Sequence, residues 1–261
     1  MIRLALLGDP VDHSLSPVLQ NAALAATGLE GTYQARRVDE VGLSQAFADL
    51  RAGRLHGFNV TMPHKAAAAA RCDRLEGDAA QAGSVNTVSL EAGEVVGRST
   101  DTTAIADSWN GLAEVGPILI LGAGGAAVAA VTALRGRRQF LSARRFGAGR
   151  ELAEHVSVDL GELRWGAGVV GAVLVNCTPL GMKGESLPAV PLGLASGLLD
   201  LAYGAETTPA VADMRRTGRP AVDGRTFLLA QAANSFTIWT GLPAPTEDML
   251  RALENHSRQP G

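Results

Sequence analysis

Short runs able to form strands alternate with stretches able to form helices along almost the whole chain. In the first half, residues 3–7, 32–37, 57–60 and 87–90 have the length and side chains of strands. Helices are expected over 17–26, 43–52 and 65–72. Pro17 suits a first helical turn with Ser16 as its N-cap, and Gly28 and Gly53 suit helix ends. In the second half the strand candidates are 118–121, 139–142, 172–176 and 197–201. Helices fit 126–135, 150–155, 209–217, 227–240 and 246–254. Strands alternating with helices imply an α/β fold whose sheets are mostly parallel and covered on both faces.

The first seven residues are apolar apart from Arg3 and meet Gly8-Asp9-Pro10 at once, so they read as a buried strand, too short for a signal-peptide core. No stretch approaches the length of a membrane span. The 261 residues allow two modest domains, and a hydrophobic fraction of 46% supplies their cores. A net charge of −3 without a long basic run argues against nucleic acid as the main partner. Cys72 and Cys177 lie far apart and read as reduced core thiols, which makes the cytoplasm the expected compartment.

The strand candidate at 118–121 runs into Gly122-Ala123-Gly124-Gly125-Ala126-Ala127 and then an Ala- and Val-rich helix. This is the pattern of a dinucleotide-binding turn. The first glycine permits the tight turn, the second lets backbone approach a pyrophosphate, and the small Ala127 lets helix pack close on strand. The N–H groups at the helix start then face the phosphates. A ligand-free strand-to-helix turn is the plainer alternative. After the next strand the sequence reads Ser142-Ala143-Arg144-Arg145, with no acid to take a ribose diol. Two guanidinium groups there suit a 2′-phosphate and favour NADP, unless they are simply solvated surface arginines. Because the turn comes so late, the first hundred residues must form a separate α/β unit, and a small substrate would meet the dinucleotide in a cleft between units.

Four polar clusters stand out in that first unit: Gly8-Asp9-Pro10-Val11-Asp12-His13-Ser14-Leu15-Ser16-Pro17, Asn59-Val60-Thr61-Met62-Pro63-His64-Lys65, Gly83-Ser84-Val85-Asn86-Thr87 and Gly97-Arg98-Ser99-Thr100-Asp101. Taken singly, the serines and Asp101 could cap helices and Lys65 could be a surface lysine. Together, in order, they resemble the shikimate dehydrogenase family. The resemblance continues through residues 122–127 and Ala143-Arg144-Arg145. It returns at Asn176-Cys177-Thr178-Pro179-Leu180-Gly181-Met182 and Asp200-Leu201-Ala202-Tyr203, and closes with Gln231, Phe236 and Trp239-Thr240-Gly241.

The resemblance implies two α/β domains: a substrate domain over 1–101 and a Rossmann-type NADP domain over 102–226, with 227–261 returning to the first. It implies NADPH-dependent reduction of 3-dehydroshikimate to shikimate, in chorismate and aromatic amino-acid biosynthesis, with no metal. Lys65 and Asp101 would be the proton-transfer pair. Ser14 and Ser16 would bind the substrate carboxylate. Asn59, Thr61, Asn86, Tyr203 and Gln231 would bracket the ring hydroxyls and the carboxylate. Gly122, Gly124, Gly125, Ala126, Ala127, Arg144, Arg145, Thr178 and Gly224 would hold the cofactor. The chemistry suits the pair: a lysine ammonium, protonated at neutral pH, can polarise a ketone and then give its proton to the oxygen. The chain would act as a monomer or homodimer.

Some positions depart from the family pattern. Ser99 stands where Asn is usual, Ala104 where Gly is usual, Val128 where Arg is frequent, Arg145 where Thr is common and Ala205 where Pro is common. Relatives that oxidise quinate with NAD, or act on amino-substituted analogues, are an alternative reading. A dinucleotide-binding sensor without catalysis is another, although both Lys65 and Asp101 are present.

Overall fold

A computed structural model describes residues 1–112, 116–204 and 206–258; Ala205 lies outside them. The chain divides into two compact units. The first comprises residues 1–100 and 229–261, and the second residues 101–228. No helix among the described residues is long and apolar enough to cross a membrane.

The first unit runs β1 (Ile2–Gly8), α1 (Ser16–Ala26), β2 (Gly31–Arg37), α2 (Glu40–Arg51), β3 (Gly57–Val60), α3 (Lys65–Ala69), β4 (Arg74–Leu75), α4 (Asp78–Ala82), β5 (Thr87–Glu91) and β6 (Glu94–Arg98). Its strands lie in the order β2-β1-β3-β5-β6-β4. β1 is parallel to both β2 and β3, whereas β5 is antiparallel to β3 and β6. The hairpin between β5 and β6, absent from the expected elements, turns on Ala92 and Gly93, both at positive φ. β1 is buried on both faces, which explains its almost continuous apolar run. Ala5 and Leu7 join Phe58, Val60 and Val88 in one core, and Leu4 and Leu6 join Val11 and Tyr33 in another.

Residue 100 opens α5 (Thr100–Leu112), which the hydrophobic pattern did not mark. The second unit continues with β7 (Ile118–Leu121), α6 (Gly125–Ala133), β8 (Gln139–Ala143), α7 (Ala148–Val156), β9 (Leu160–Arg164), β10 (Val173–Asn176), α8 (Ala189–Leu194), β11 (Gly197–Asp200), α9 (Pro209–Arg216) and β12 (Ala221–Val222). Its sheet is parallel throughout, in the order β12-β11-β10-β7-β8-β9. That is the doubly wound dinucleotide-fold order, with the direction of winding reversing between β7 and β10.

α10 (Gly224–Thr240) and α11 (Thr246–Arg258) complete the chain. From residue 229 onward they belong to the first unit. There Trp239 Nε1 donates to Val88 O at 3.0 Å and Gln20 Nε2 donates to Ala232 O at 2.9 Å. Gly57 admits the indole: a Cβ at that position would lie 2.3 Å from Trp239 Nε1.

Three local expectations are corrected. Ser16 is the first residue of α1 rather than its N-cap; Leu15 holds the cap position and Ser14 Oγ accepts from Ser16 N at 3.2 Å. α3 is shorter than the expected 65–72: it ends at Ala69, residues 70 and 71 form a turn, and β4 begins at Arg74. Cys72 and Cys177 are both free thiols, but half-buried rather than in the core.

Candidate functional site

In the first unit, sheet register gathers the polar clusters at one end. Leu7 pairs with Val60, so β1 and β3 finish side by side in the same direction. The winding of the sheet reverses between them, the position at which open α/β sheets bind ligands. Thr61 N donates to Leu7 O at 2.8 Å and Asp9 N to Met62 O at 2.9 Å, which zips the two following loops together. Gly8 is required there, since a Cβ would fall 2.3 Å from Thr61 Cγ2 and 2.9 Å from Met62 O. Asn59 pairs with Thr87 and Thr87 with Arg98, so β5 begins and β6 ends at that same edge. His64, at the foot of this loop, is buried with Nε2 2.8 Å from Val38 O; its role is to tie the loop to β2's end.

Asn86 is held by its neighbours in one amide orientation. Its Oδ1 accepts from the backbone Thr100 N at 2.8 Å, an unambiguous donor. Its Nδ2 donates to Thr100 Oγ1 at 2.9 Å and points to Gln231 Oε1 at 3.5 Å. Ser14 Oγ lies 3.2 Å from Ser16 Oγ and donates to it, which leaves the Ser16 proton to donate elsewhere. Lys65 is half-buried at the start of α3, and its carbonyl accepts from Val85 N at 3.2 Å, next to Asn86. Thr61 is half-buried in the loop between.

Asn59 departs from the expected contact with ring hydroxyls. It is buried, and its amide is committed internally: Oδ1 accepts from Tyr33 Oη at 2.7 Å, while Nδ2 donates to Asn86 O at 2.8 Å and to Thr87 Oγ1 and Ser235 Oγ, both at 3.0 Å. It shapes the floor on which Asn86 sits. Ser235 was not anticipated at all. Its hydroxyl donates to Gln231 O at 3.0 Å and lies 2.9 Å from Thr87 Oγ1 and 3.1 Å from Thr100 Oγ1. The available signal was its position one helical turn after Gln231.

The second unit carries the dinucleotide turn at its own point of reversal, after β7 and beside the end of β10. Gly122 has φ +101°, and a Cβ there would meet Cys177 O and Thr178 Cγ2 at 3.1 Å. Gly124 is different: a Cβ would meet nothing within 4 Å, so the backbone is open where a pyrophosphate would lie. Gly124 caps α6 without a side-chain bond, which leaves the first N–H groups of the helix to a ligand. Ala126 lies in that first turn, half-buried, and Ala127 is buried beneath it. These residues fit a dinucleotide.

The loop after β10 is built to sit against this turn. Thr178 Oγ1 donates to Asn176 Oδ1 at 2.6 Å, and Asn176 Nδ2 donates to Asp200 Oδ1 at 2.8 Å. Asp200 also accepts from Ala202 N at 3.0 Å and from Thr208 Oγ1 at 2.6 Å. Burial pushes its carboxyl above the usual range, against the pull of these donors. Gly224 opens α10 in van der Waals collision range of Ala202, whose O would be 2.1 Å from a Cβ; it acts here as a close-packing residue. Tyr203 is half-buried in the loop after β11. Asp101 is buried in the first turn of α5, immediately after Thr100.

Arg144 and Arg145 follow β8, whose Ser142 O accepts from Gly122 N at 3.0 Å, so they emerge next to the glycine turn. Both are exposed. Arg145 is engaged by Glu151 through two bonds of 2.6 Å. Arg144 makes no hydrogen bond or ion pair among the described residues.

Residues 6–88 match the family model described as shikimate dehydrogenase substrate binding domain. Residues 224–254 match that described as shikimate 5'-dehydrogenase C-terminal domain. The chain is 35% identical to a shikimate dehydrogenase (NADP(+)) of Desulfitobacterium hafniense, over 95% of this chain and 96% of the relative. It is 36% identical to one of Geobacter metallireducens, over 96% and 95%. Among solved structures it resembles shikimate 5-dehydrogenase from Thermus thermophilus in complex with NADP(H) and shikimate. The TM-score is 0.86 at 33% identity, over 98% of this chain and 99% of that one.

Proposed function

The chain belongs to the shikimate dehydrogenase family, and on that premise we propose that it catalyses the reversible, NADPH-dependent reduction of 3-dehydroshikimate to shikimate in the biosynthesis of chorismate and the aromatic amino acids. The observation that carries the reading is the convergence at one sheet edge of Ser14, Ser16, Thr61, Lys65, Asn86 and Gln231: hydroxyls, amides and one amine, the groups a polyhydroxylated ring carboxylate calls for.

NADPH supplies the hydride for the ketone carbon. The Lys65 ammonium hydrogen-bonds the ketone oxygen, draws charge onto it and delivers the proton. We propose Asp101 as the acidic residue of the proton-transfer pair. The Ser16 hydroxyl, with its proton uncommitted, donates to the ring carboxylate beside Ser14. Asn86 turns Nδ2 towards Gln231, because Thr100 N holds its oxygen the other way. Arg144 takes the 2′-phosphate, with Gly122, Gly124, Gly125, Ala126 and Ala127 around the pyrophosphate and Thr178 bordering them. We infer a reducing compartment, the cytoplasm, supported by two free cysteines.

Lys65→Ala should lower kcat by about 10²-fold or more, the usual worth of a positioned acid, while KM moves only a few-fold. Lys65→Arg should be equally inactive, since guanidinium keeps the charge but cannot release its proton. Near-normal turnover of either variant rules out the assignment. Steady-state rates with shikimate and quinate, each crossed with NADP and NAD, separate this reading from a quinate or amino-analogue enzyme.

A further inference from the structure

Resting on that cofactor reading, we propose that Glu151 tempers the preference for NADP over NAD by holding Arg145 away from the 2′-phosphate, which leaves recognition of that phosphate to Arg144. The geometry is local to one loop and one helix. Arg144 and Arg145 are adjacent at the end of β8, beside the glycine turn, yet their side chains have different fates. Arg145 lies in a forked, two-bond pairing with the Glu151 carboxylate, which uses both of its terminal nitrogens. Those are the donors a phosphate would need for a forked grip.

The pairing is supported from behind. Glu151 stands in the first turn of α7, where a carboxylate is favoured by the helix dipole. The loop that carries Arg145 is anchored by Glu162 of β9, whose Oε1 accepts from both Gly147 N, at 2.7 Å, and Gly149 N, at 3.0 Å. Gly147 has φ +97°, a conformation that lets the chain turn into α7 within this short span. Arg145 thus meets two carboxylates, Glu151 directly and Glu162 through space, and both raise its pKa. A 2′-phosphate must displace Glu151 to gain Arg145, whereas Arg144 is available to it at no such cost.

The pair is exposed, with side-chain accessibilities of 65% and 63%, so its hold is modest. Exposed ion pairs are worth at most about fivefold in an equilibrium. The effect belongs to affinity for the 2′-phosphate alone and leaves hydride transfer untouched.

The test is calorimetric titration of the whole chain with NADP, NAD and 2′,5′-ADP, which requires no turnover. Glu151→Gln should tighten NADP and 2′,5′-ADP by about three- to fivefold and leave NAD unchanged, as release of an exposed ion pair allows. Arg145→Ala alone should change NADP affinity less than twofold, and in the Glu151→Gln background it should remove the gain. Arg144→Ala should weaken NADP and 2′,5′-ADP about tenfold or more, a charge-assisted forked pair being lost. The proposal is overturned if Glu151→Gln leaves the NADP-to-NAD ratio unchanged or weakens NADP, or if Arg145→Ala costs as much as Arg144→Ala. Any of these with NADPH-dependent turnover intact removes only the role of Glu151. Wild-type protein that binds NAD but neither NADP nor 2′,5′-ADP overturns the cofactor reading as well.

Discussion

Lys65 is one of only two lysines among 23 lysines and arginines, the other being Lys183. A chain that otherwise builds its cations from arginine keeps an amine at the edge where the polar clusters meet. An amine can lose a proton in the working pH range of an enzyme and a guanidinium cannot, so the exception fits proton transfer better than surface charge. Cys72 is the opposite case, a reactive residue type held inert. Burial first, and Asp73 beside it second, push its thiol up to about 11. Its alkylation by iodoacetamide should therefore be slow at pH 7 and keep accelerating beyond pH 10, followed by mass spectrometry; a plateau near pH 8.5 would contradict the burial. Ser235 illustrates a third situation. With four polar partners and no exposure, it should cost about 1–3 kcal/mol of stability when replaced by alanine, the penalty for leaving buried groups unpaired. Chemical denaturation checks the loss. Because Thr87 and Thr100 also orient Asn86, KM for shikimate should rise more than kcat falls.

At the scale of elements, the strands were the most legible. Most expected strands lie within a residue or two of the observed ends, because a strand buried on both faces must be a short apolar run. The short β4 and β12 and the edge strand β9 were missed, since a few residues paired on one side carry no periodic signal, and β6, the second strand of the hairpin, was missed as well. The hairpin of β5 and β6 is stabilised by an ion cluster invisible to pattern reading. Arg98 grips Glu91 with bonds of 2.5 and 2.9 Å and also pairs with Glu76, and Arg74 joins from the neighbouring strand. The Arg98 guanidinium brings the Glu91 carboxyl down to about 2. A carboxyl depressed from 4.5 on folding contributes stability above that value and loses it as pH falls towards 2. Glu91→Gln should thus be less stable than wild type at pH 7 by no more than about 1 kcal/mol, the pair being partly exposed. Thermal melts should show the gap closing between pH 4.5 and 2.

For the whole molecule, the decisive arrangement is two α/β units, each with its candidate binding residues at the position where the strand order reverses. A ligand that binds the native state alone stabilises it by mass action. NADP at a hundred times its Kd should add about 2.7 kcal/mol, read as a rise in Tm, and NAD at equal concentration should add less. Equal shifts would remove the argument from Arg144. The sequence by itself determined the α/β class, the glycine turn after β7 and the residue types of the chemistry, because periodicity, turn geometry and functional groups are local properties. Only the tertiary structure decided which side chains remain available. Asn59 proved to be spent on Tyr33, Ser235 and the strand beside it, Gln231 was brought to Asn86 from 145 residues away, and Arg145 was claimed by Glu151. A hydrogen bond once made withdraws a donor from any ligand, and which bonds are made depends on register and helix return that no local stretch encodes.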